Sequence, residues 1–158
     1  MAEKESAISP SHYKQGGLEV IDIWRAKLDP EELVGFFKAN VLKYVMRADK
    51  KNGLEDYEKA AVYLKWIIEE KEKSGKVSTD KALRPDHYKQ GGMQPIDIFR
   101  AKLTAKEFKG FCKANIIKYV LRADYKNGLE DYKKAAIYLN WIIEEEQKRL
   151  DEAAKEIK

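Results

Sequence analysis

Apolar residues recur at helical spacing along most of the chain, and no segment alternates apolar and polar residues as a strand does. The spacing predicts a short helix from Leu18 to about Lys27, a second from Pro30 to about Ala48 and a third from Leu54 to about Lys73. The second helix starts with the N-cap residue Asp29, then a proline, then a glutamate at the third helical position. The Asn52-Gly53 pair predicts a reversal of the chain between the second and third helices.

This three-helix pattern occurs twice. Residues 12–70 match residues 87–145 at a constant offset of 75 without a gap, with 42 identities in 59 aligned positions. A unit of about 60 residues buries only ~60% of its unfolded surface, so two such units are expected to pack together. We therefore predict an all-α protein of two tandem three-helix repeats, packed as a pseudo-two-fold helical bundle. This repeat-repeat pseudo-dimer leaves further homo-oligomer formation open.

The repeat divides the chain into five segments. The predicted segments are an N-terminal tail at 1–11, the first repeat at 12–72, a polar linker at 73–84, the second repeat at 85–146, and an extension of the last helix at 147–158. The linker contains Gly and Ser among charged residues, as flexible connections do.

Each long helix carries one apolar face that we predict to be core. The core positions are Leu33, Phe37, Val41, Tyr44 and Ala48 on the second helix and Leu54, Tyr57, Ala61, Leu64 and Ile68 on the third. The back of the second helix is also apolar, with Leu42 and Met46 in the first repeat and Ile117 and Leu121 in the second. We expect this back face to be covered by the other repeat.

Composition and charge exclude several classes of protein. Charged residues make up 37% of the chain, and no window has the ~18 consecutive apolar residues that a membrane helix needs. The first residues hold no apolar stretch typical of a secretory signal, so we predict a cytoplasmic protein, in the host cytoplasm if a phage encodes it. The net charge of +4 is too small to favour nucleic acid as a partner.

Cysteine and histidine are too few to build a metal site. Cys112 is the only cysteine, and two histidines beside it cannot complete a Cys/His zinc set or a disulfide. Cys112 occupies the position of Phe37 in the first repeat, which indicates a filler of core space. We predict no metal and no cofactor.

Polar residues that do not fit a simple core lie near the turn between the second and third helices. At 100° per residue they form two stripes: Phe36, Asn40, Lys43 and Arg47 beside the core face of the second helix, and Asp56, Lys59, Tyr63 and Trp66 roughly opposite the core face of the third. Because the turn is tight, the ends of the two stripes should be neighbours. The sequence therefore predicts a charged and aromatic cluster in each repeat.

One interpretation of this cluster is a pocket for a planar, phosphate-bearing ligand. Lys43, Arg47 and Lys59 would hold the anion, and Tyr63 or Trp66 would stack on a base. On this interpretation, replacing Arg47 and its counterpart Arg122 by alanine should abolish binding. The loss of stability should be small, because relief of cation repulsion would offset the lost contacts.

The other interpretation is purely structural. Arg47 would pair with Asp56 and Lys59 with Glu55, while the aromatic rings would be buried between the repeats. The sequence leaves both interpretations open.

Three motifs shared by the repeats resemble one known family. They read Pro-x-His-Tyr, then Ala-Asn-x-x-Lys-Tyr-x-x-Arg-Ala, then Lys-Asn-Gly-Leu-Glu-Asp-Tyr-x-Lys-Ala-x-x-Tyr-Leu. The pattern is similar to the small SaV-like domain of bacteriophages, often labelled nucleotide kinase, and the resemblance covers residues 11–70 and 85–145. Asp49 and Asp124 depart from it, because they stand where the family usually has glycine.

The resemblance implies two matching sets of site residues. The first set is His12, Asn40, Lys43, Tyr44, Arg47, Lys51, Asp56, Lys59 and Tyr63, and the second is His87, Asn115, Lys118, Tyr119, Arg122, Lys126, Asp131, Lys134 and Tyr138. All of these except Tyr44 and Tyr119, which we assign to the core, are predicted to bind the ligand.

Three classes of function remain. The first is a phage-type protein that binds a nucleotide or cyclic nucleotide without chemistry, for example a sponge that sequesters a host defence signal. The second, implied by the resemblance, is a nucleotide kinase that transfers a phosphoryl group to a nucleoside monophosphate, which is the only enzymatic interpretation. The third is a structural or protein-interaction module. Neither repeat has a Walker-type phosphate loop, so we favour binding over phosphoryl transfer.

Overall fold

The computed structural model describes residues 16–17, 19–75 and 94–157, and every regular element among these residues is helical. The helices are α1 (Val20–Lys27), α2 (Pro30–Arg47), α3 (Leu54–Lys73), α4 (Pro95–Lys102), α5 (Ala105–Arg122) and α6 (Leu129–Glu156). The chain divides into two compact units, Met1–Glu70 and Lys71–Lys158. The prediction of an all-α protein with two tandem three-helix repeats is confirmed.

The starts of α2 and α5 follow the capping signals in the sequence. The Asp29 carboxylate accepts hydrogen bonds from the backbone N–H groups of Glu31 and Glu32, both at 2.9 Å, and Glu32 accepts one from the Asp29 N–H at 3.0 Å. Thr104 and Glu107 form the same reciprocal pair in the second repeat. These bonds satisfy backbone donors that would otherwise lack partners at a helix start.

A short 3₁₀ turn and a glycine reverse the chain between the two long helices of each repeat. In the first repeat the turn is Ala48–Lys50, and the N–H of Gly53 donates to the Ala48 carbonyl at 2.7 Å. Gly53 has a φ of +53°, which a side chain would disfavour, and Gly128 has the same role at +51°. The reversal places the end of α2 beside the start of α3.

Most of the fully buried positions are shared by the two repeats. In the first repeat they include Phe37, Val41, Val45, Tyr57, Leu64 and Ile67, and in the second Cys112, Ile116, Val120, Tyr132, Leu139 and Ile142. Each member of the second set stands 75 residues after its counterpart in the first. The predicted role of Cys112 as core filler agrees with its complete burial. Burial raises the pKa of its thiol to about 12, so the sulfur stays protonated.

The core faces differ from the prediction by about one residue. On α2 the core takes Val45, whereas Tyr44 is only half-buried. On α3 the core takes Ala60 and Ile67, whereas the predicted positions Leu54, Ala61 and Ile68 are half-buried. Neighbouring residues are 100° apart around a helix. A helix with a wide apolar face can therefore turn about its axis by about one residue and still bury apolar side chains.

The stripe predicted on the outer side of α3 lies instead against α1 and α2. Asp56 is fully buried, and Trp66 lies 6.4 Å from Trp24, 5.4 Å from Phe37 and 5.2 Å from Tyr63, measured between ring centroids. The rings of Trp24, Phe37, Tyr63 and Trp66, which we call the aromatic cluster, thus bury this side of α3 inside the first repeat. The prediction that this stripe is opposite the core is wrong.

The apolar back of α2 and α5 remains accessible. Met46 is 58% exposed and Leu121 is 52% exposed, while Leu42 and Ile117 are half-buried.

The second repeat differs from the first at the end of its last helix. α6 continues through residues 147–156 as one helix with the part that packs against α5. Glu146 is 4% exposed and forms ion pairs with Lys109 and Arg149. The predicted tail at 1–11 and linker residues 76–84 lie outside the described residues.

Candidate functional site

A buried ion pair joins the end of α2 to the start of α3. Arg47 Nε donates to Asp56 Oδ2 at 2.9 Å and Arg47 Nη2 donates to Asp56 Oδ1 at 3.1 Å. Arg122 and Asp131 repeat this bidentate geometry at 2.9 and 3.1 Å. Both carboxylates are fully buried, while a third of each arginine side chain is exposed. A planar fork on a carboxylate is the most directional of protein ion pairs.

The environment of Asp56 favours its charged form. Burial by itself would raise the pKa of this carboxyl, but hydrogen bonds from Arg47 and Asn52 and the charges of Arg47 and Lys59 outweigh burial and lower the pKa below its ordinary value. The Asn52 amide donates to Asp56 Oδ1 at 3.3 Å. The hydrogen bond to Asp56 raises the pKa of Arg47. Asp56 is therefore ionised whenever the protein is folded near neutral pH.

This lowered pKa predicts a pH-dependent contribution to stability. A carboxyl whose pKa is lower in the folded state contributes its full stabilisation of the fold when the pH is above its pKa in the unfolded chain, here near 3.8. The contribution disappears as the pH falls through the pKa of the folded state. We expect the stability difference between the native chain and Asp56→Asn to be constant at neutral pH and to shrink below about pH 4. Urea unfolding of both proteins across this range measures it, and a gap that persists unchanged in acid would contradict the lowered pKa.

Three cations surround one tyrosine ring in each repeat. The distances from the Tyr44 centroid are 4.6 Å to Lys43 Nζ, 4.8 Å to Arg47 Cζ and 5.9 Å to Lys59 Nζ. The corresponding distances from Tyr119 are 4.5 Å to Lys118, 4.8 Å to Arg122 and 5.8 Å to Lys134. Such separations fall within the range of cation–π attraction. We call each set of three cations and its tyrosine the cationic cluster.

A second tyrosine supports the ring at the centre of each cationic cluster. Tyr44 stacks on Tyr63 with 5.9 Å between ring centroids and an angle of 20° between planes. Tyr119 and Tyr138 stack at 5.8 Å and 24°. The spacing of apolar residues assigned Tyr44 to the core, whereas the motif shared by the repeats included it in the set of site residues. Its central position among the cations is the feature that spacing alone missed.

Two of the three cations are paired with carboxylates. Arg47 binds Asp56, and Lys59 Nζ lies 2.5 Å from Glu55 Oε1. Both ion pairs of the structural interpretation are therefore present, and Lys134 pairs with Glu130 in the same way in the second repeat. Each cationic cluster, counted together with the two carboxylates that pair with it, therefore has one net positive charge.

Lys43 is the cation without a carboxylate partner among the described residues. Its Nζ donates to the Asn40 amide oxygen at 2.8 Å, and Lys118 donates to Asn115 at 2.8 Å. Both lysines are exposed. The net positive charge of each cationic cluster is thus carried by an ammonium group that solvent can reach.

The remaining predicted site residues are placed less favourably for a ligand. Trp66 packs inside the aromatic cluster, so its ring is occupied by protein rather than free to stack on a base. Lys51 and Lys126 are exposed at the reversal of the chain. His12 and His87 lie outside the described residues.

Asp49, which departs from the resemblance, has a structural partner. The hydroxyl group of the fully buried Tyr57 donates to Asp49 Oδ1 at 2.9 Å, and Tyr132 donates to Asp124 at 3.0 Å. These carboxylates satisfy hydroxyl groups that would otherwise be buried without an acceptor. For Tyr132, burial and the nearby Asp124 charge raise the pKa, so the phenol stays protonated.

The described residues contain neither a cluster of metal ligands nor a helix that could span a membrane. Across residues 16–17, 19–75 and 94–157, no group of three or more His, Cys, Asp or Glu side chains is arranged to hold a metal ion. None of the helices described there combines the length and apolar character needed to cross a membrane.

Comparison with known proteins places the repeats in a family. Residues 8–65 and 83–140 each match the family described as protein of unknown function, DUF3310. The chain belongs to the DUF3310 family. It carries two tandem DUF3310 domains, and the matches include the residues of the two cationic clusters, which lie within 43–59 and 118–134.

A phage protein is among the relatives of this DUF3310 chain. The Gene 1.7 protein of Enterobacteria phage T3 is 39% identical over 59 residues, a match that covers 34% of this chain and 36% of the relative. The matched part is thus about a third of that relative's length. No solved structure matches the chain. The predicted tandem phage-type domain is supported, while the SaV-like and nucleotide-kinase labels stay predictions.

Proposed function

We propose that each DUF3310 repeat binds a nucleotide or nucleotide-derived anion at its cationic cluster. The observation that carries the proposal is the convergence of three cations on one tyrosine at both clusters, where one ammonium has no carboxylate partner among the residues that the structure describes. A phosphate oxygen beside Lys43 would receive a charge-assisted hydrogen bond and would neutralise the remaining charge.

The arrangement of the other two cations also supports an anionic ligand. Arg47 and Lys59 are held by Asp56 and Glu55, so their positions are fixed before a ligand arrives, and both remain partly exposed. Cations held in place lose little side-chain entropy on binding. The Tyr44 ring, which stacks on Tyr63, attracts both cations and helps to hold them in place.

The role that follows is that of a binding protein without chemistry of its own. Such a protein in a phage could sequester a nucleotide-derived host defence signal, which requires only affinity and two equivalent sites. The nucleotide-kinase alternative requires the same binding and, in addition, transfer of a phosphoryl group.

Thermal shift and calorimetry with ATP, dGMP, dTMP and cyclic dinucleotides test the proposal. A ligand that binds only the folded state raises its stability by RT ln(1 + [L]/Kd). Incubation of the purified chain with ATP and a nucleoside monophosphate, followed by chromatography, tests for turnover. Binding without turnover supports the proposal, whereas formation of ADP and a nucleoside diphosphate supports the kinase. If no probe binds, the proposal is wrong and the structural or protein-interaction module is the interpretation that stands.

The contribution of the exposed ammonium is tested by the double substitution Lys43→Gln with Lys118→Gln. We expect the affinity for a bound nucleotide to fall by about tenfold or more, as for a lost hydrogen bond between charged groups. The melting temperature should hardly change, because both lysines are exposed. Lys27→Gln with Lys102→Gln is the matched control, since these exposed lysines end α1 and α4 and the change in charge is the same. Equal affinities of the two double variants would contradict the assignment.

A further inference from the structure

The asparagine that holds Lys43 is fixed by its own helix. Asn40 is 6% exposed, and its Nδ2 donates to the Phe36 carbonyl one turn earlier at 2.9 Å. Its Oδ1 accepts from Lys43 Nζ at 2.8 Å. Asn115, which is half-buried, makes the same two bonds at 2.9 and 2.8 Å.

The two bonds leave only one orientation for the amide. Because a carbonyl can only accept, the NH₂ group must face Phe36, and the amide oxygen must then face Lys43. The lysine ammonium has three donors, of which the amide oxygen takes one. The asparagine thus fixes the position of the ammonium over the Tyr44 ring and leaves donors for another partner.

A neutral acceptor at this position preserves the charge of the lysine. Lys59 in the same cationic cluster shows the alternative, because the Glu55 carboxylate both holds and neutralises it. A carboxylate at position 40 would do the same to Lys43 and would bring the net charge of the cluster to zero. An amide is therefore the side chain that orients this lysine without cancelling its charge.

We infer that Asn40 and Asn115 are positioning residues, which hold Lys43 and Lys118 over the tyrosine ring and keep their charge available to an anionic ligand. This inference rests on the proposed function. It changes the part played by the two asparagines from direct contact with the ligand, as predicted from the sequence, to action through the lysines.

Two double variants separate charge from position. Asn40→Asp with Asn115→Asp keeps an acceptor for the lysine but neutralises it, whereas Asn40→Leu with Asn115→Leu keeps the charge but removes the acceptor. Two kinds of probe are used. Binding of inorganic phosphate is followed by the amide NMR shifts of Lys43 and Tyr44, and binding of the nucleotides named above is followed by calorimetry. Lys27→Gln with Lys102→Gln again controls for net charge.

We expect the aspartate variant to weaken anion binding by about tenfold, and the leucine variant by a smaller factor of about threefold. The dependence of Kd on salt concentration should fall in the aspartate variant and persist in the leucine variant, because only the former loses a charge at the site. A purely structural asparagine would lower the melting temperature in both variants without changing Kd or its salt dependence.

The two levels of failure are distinguishable. If the native chain binds phosphate and nucleotides and both asparagine variants bind equally well, the positioning role is overturned and the proposed function stands. If the native chain binds none of the probes, the proposed function is overturned and the positioning role with it.

Discussion

Replacing Arg47 and Arg122 by methionine should lower the melting temperature by about 10 °C or more, because each substitution leaves a fully buried carboxylate without its guanidinium. Asp56 would keep only the Asn52 amide at 3.3 Å and the more distant charge of Lys59. Methionine preserves most of the side-chain volume, so the loss reflects charge and hydrogen bonding rather than a cavity. Differential scanning calorimetry measures the change.

A compensating substitution provides the control for this prediction. Adding Asp56→Asn and Asp131→Asn to the two methionine substitutions removes the uncompensated buried charges, so much of the lost stability should return. A melting temperature that is unchanged by the methionine substitutions would show that the ion pair between the arginine and the aspartate does not stabilise the fold. The outcome also bears on the two interpretations of the sequence, because loss of the two arginines was expected to cost little stability if they line a phosphate pocket and more if they only pair with the aspartates.

Replacing Phe37 by alanine should cost about 3–5 kcal/mol in the free energy of unfolding, as for a large aromatic side chain removed from a core. The Phe37 ring is fully buried and lies within 6.5 Å of the Trp24, Tyr63 and Trp66 rings, measured between centroids. Its removal would leave a cavity at the centre of the aromatic cluster, which the large surrounding rings cannot fill by small movements.

The second repeat supplies a matched control at the same position. Cys112 is equally buried, but alanine removes only its sulfur atom, so Cys112→Ala should cost about 1 kcal/mol. Urea unfolding of both variants gives the comparison, and Phe37→Leu serves if the alanine variant does not fold. Equal losses at positions 37 and 112 would show that the aromatic cluster adds nothing beyond an ordinary core contact.

Local signals in the sequence were sufficient for the helices. Acidic and hydroxyl residues at helix starts accept hydrogen bonds from the nearest backbone N–H groups, and a proline there fixes its own φ. A glycine at positive φ acts within one turn. The predicted start of α2 at Pro30 and the bounds of α3 at Leu54 and Lys73 therefore agree with the structure. The internal repeat predicted the two-unit architecture for the same reason, because two segments with 42 identities in 59 positions carry nearly the same local signals.

The sequence also brought the right residues to the candidate site but left their contacts open. The tight turn made Arg47 and Asp56 neighbours, and both an anion pocket and a salt bridge were compatible with that proximity. In the structure, Arg47 and Asp56 form a bidentate pair at 2.9 and 3.1 Å, and the partner of Lys43 is an amide rather than a carboxylate. Distances of this kind depend on side-chain rotamers, which spacing along a helix does not specify.

Two features were decided by tertiary packing alone: which of two adjacent residues enters the core, and what covers the polar stripe of α3. Val45 rather than Tyr44 is buried, and Asp56 lies inside rather than outside. An apolar face wider than 100° allows several rotations of a helix, and the choice among them depends on how rings from α1 and α2 fit against α3. Local signals along the chain thus specify the helices, most of their ends and the duplication. The rotation of each helix, and with it the exposure of Tyr44 among three cations, depends on contacts between residues far apart in the chain.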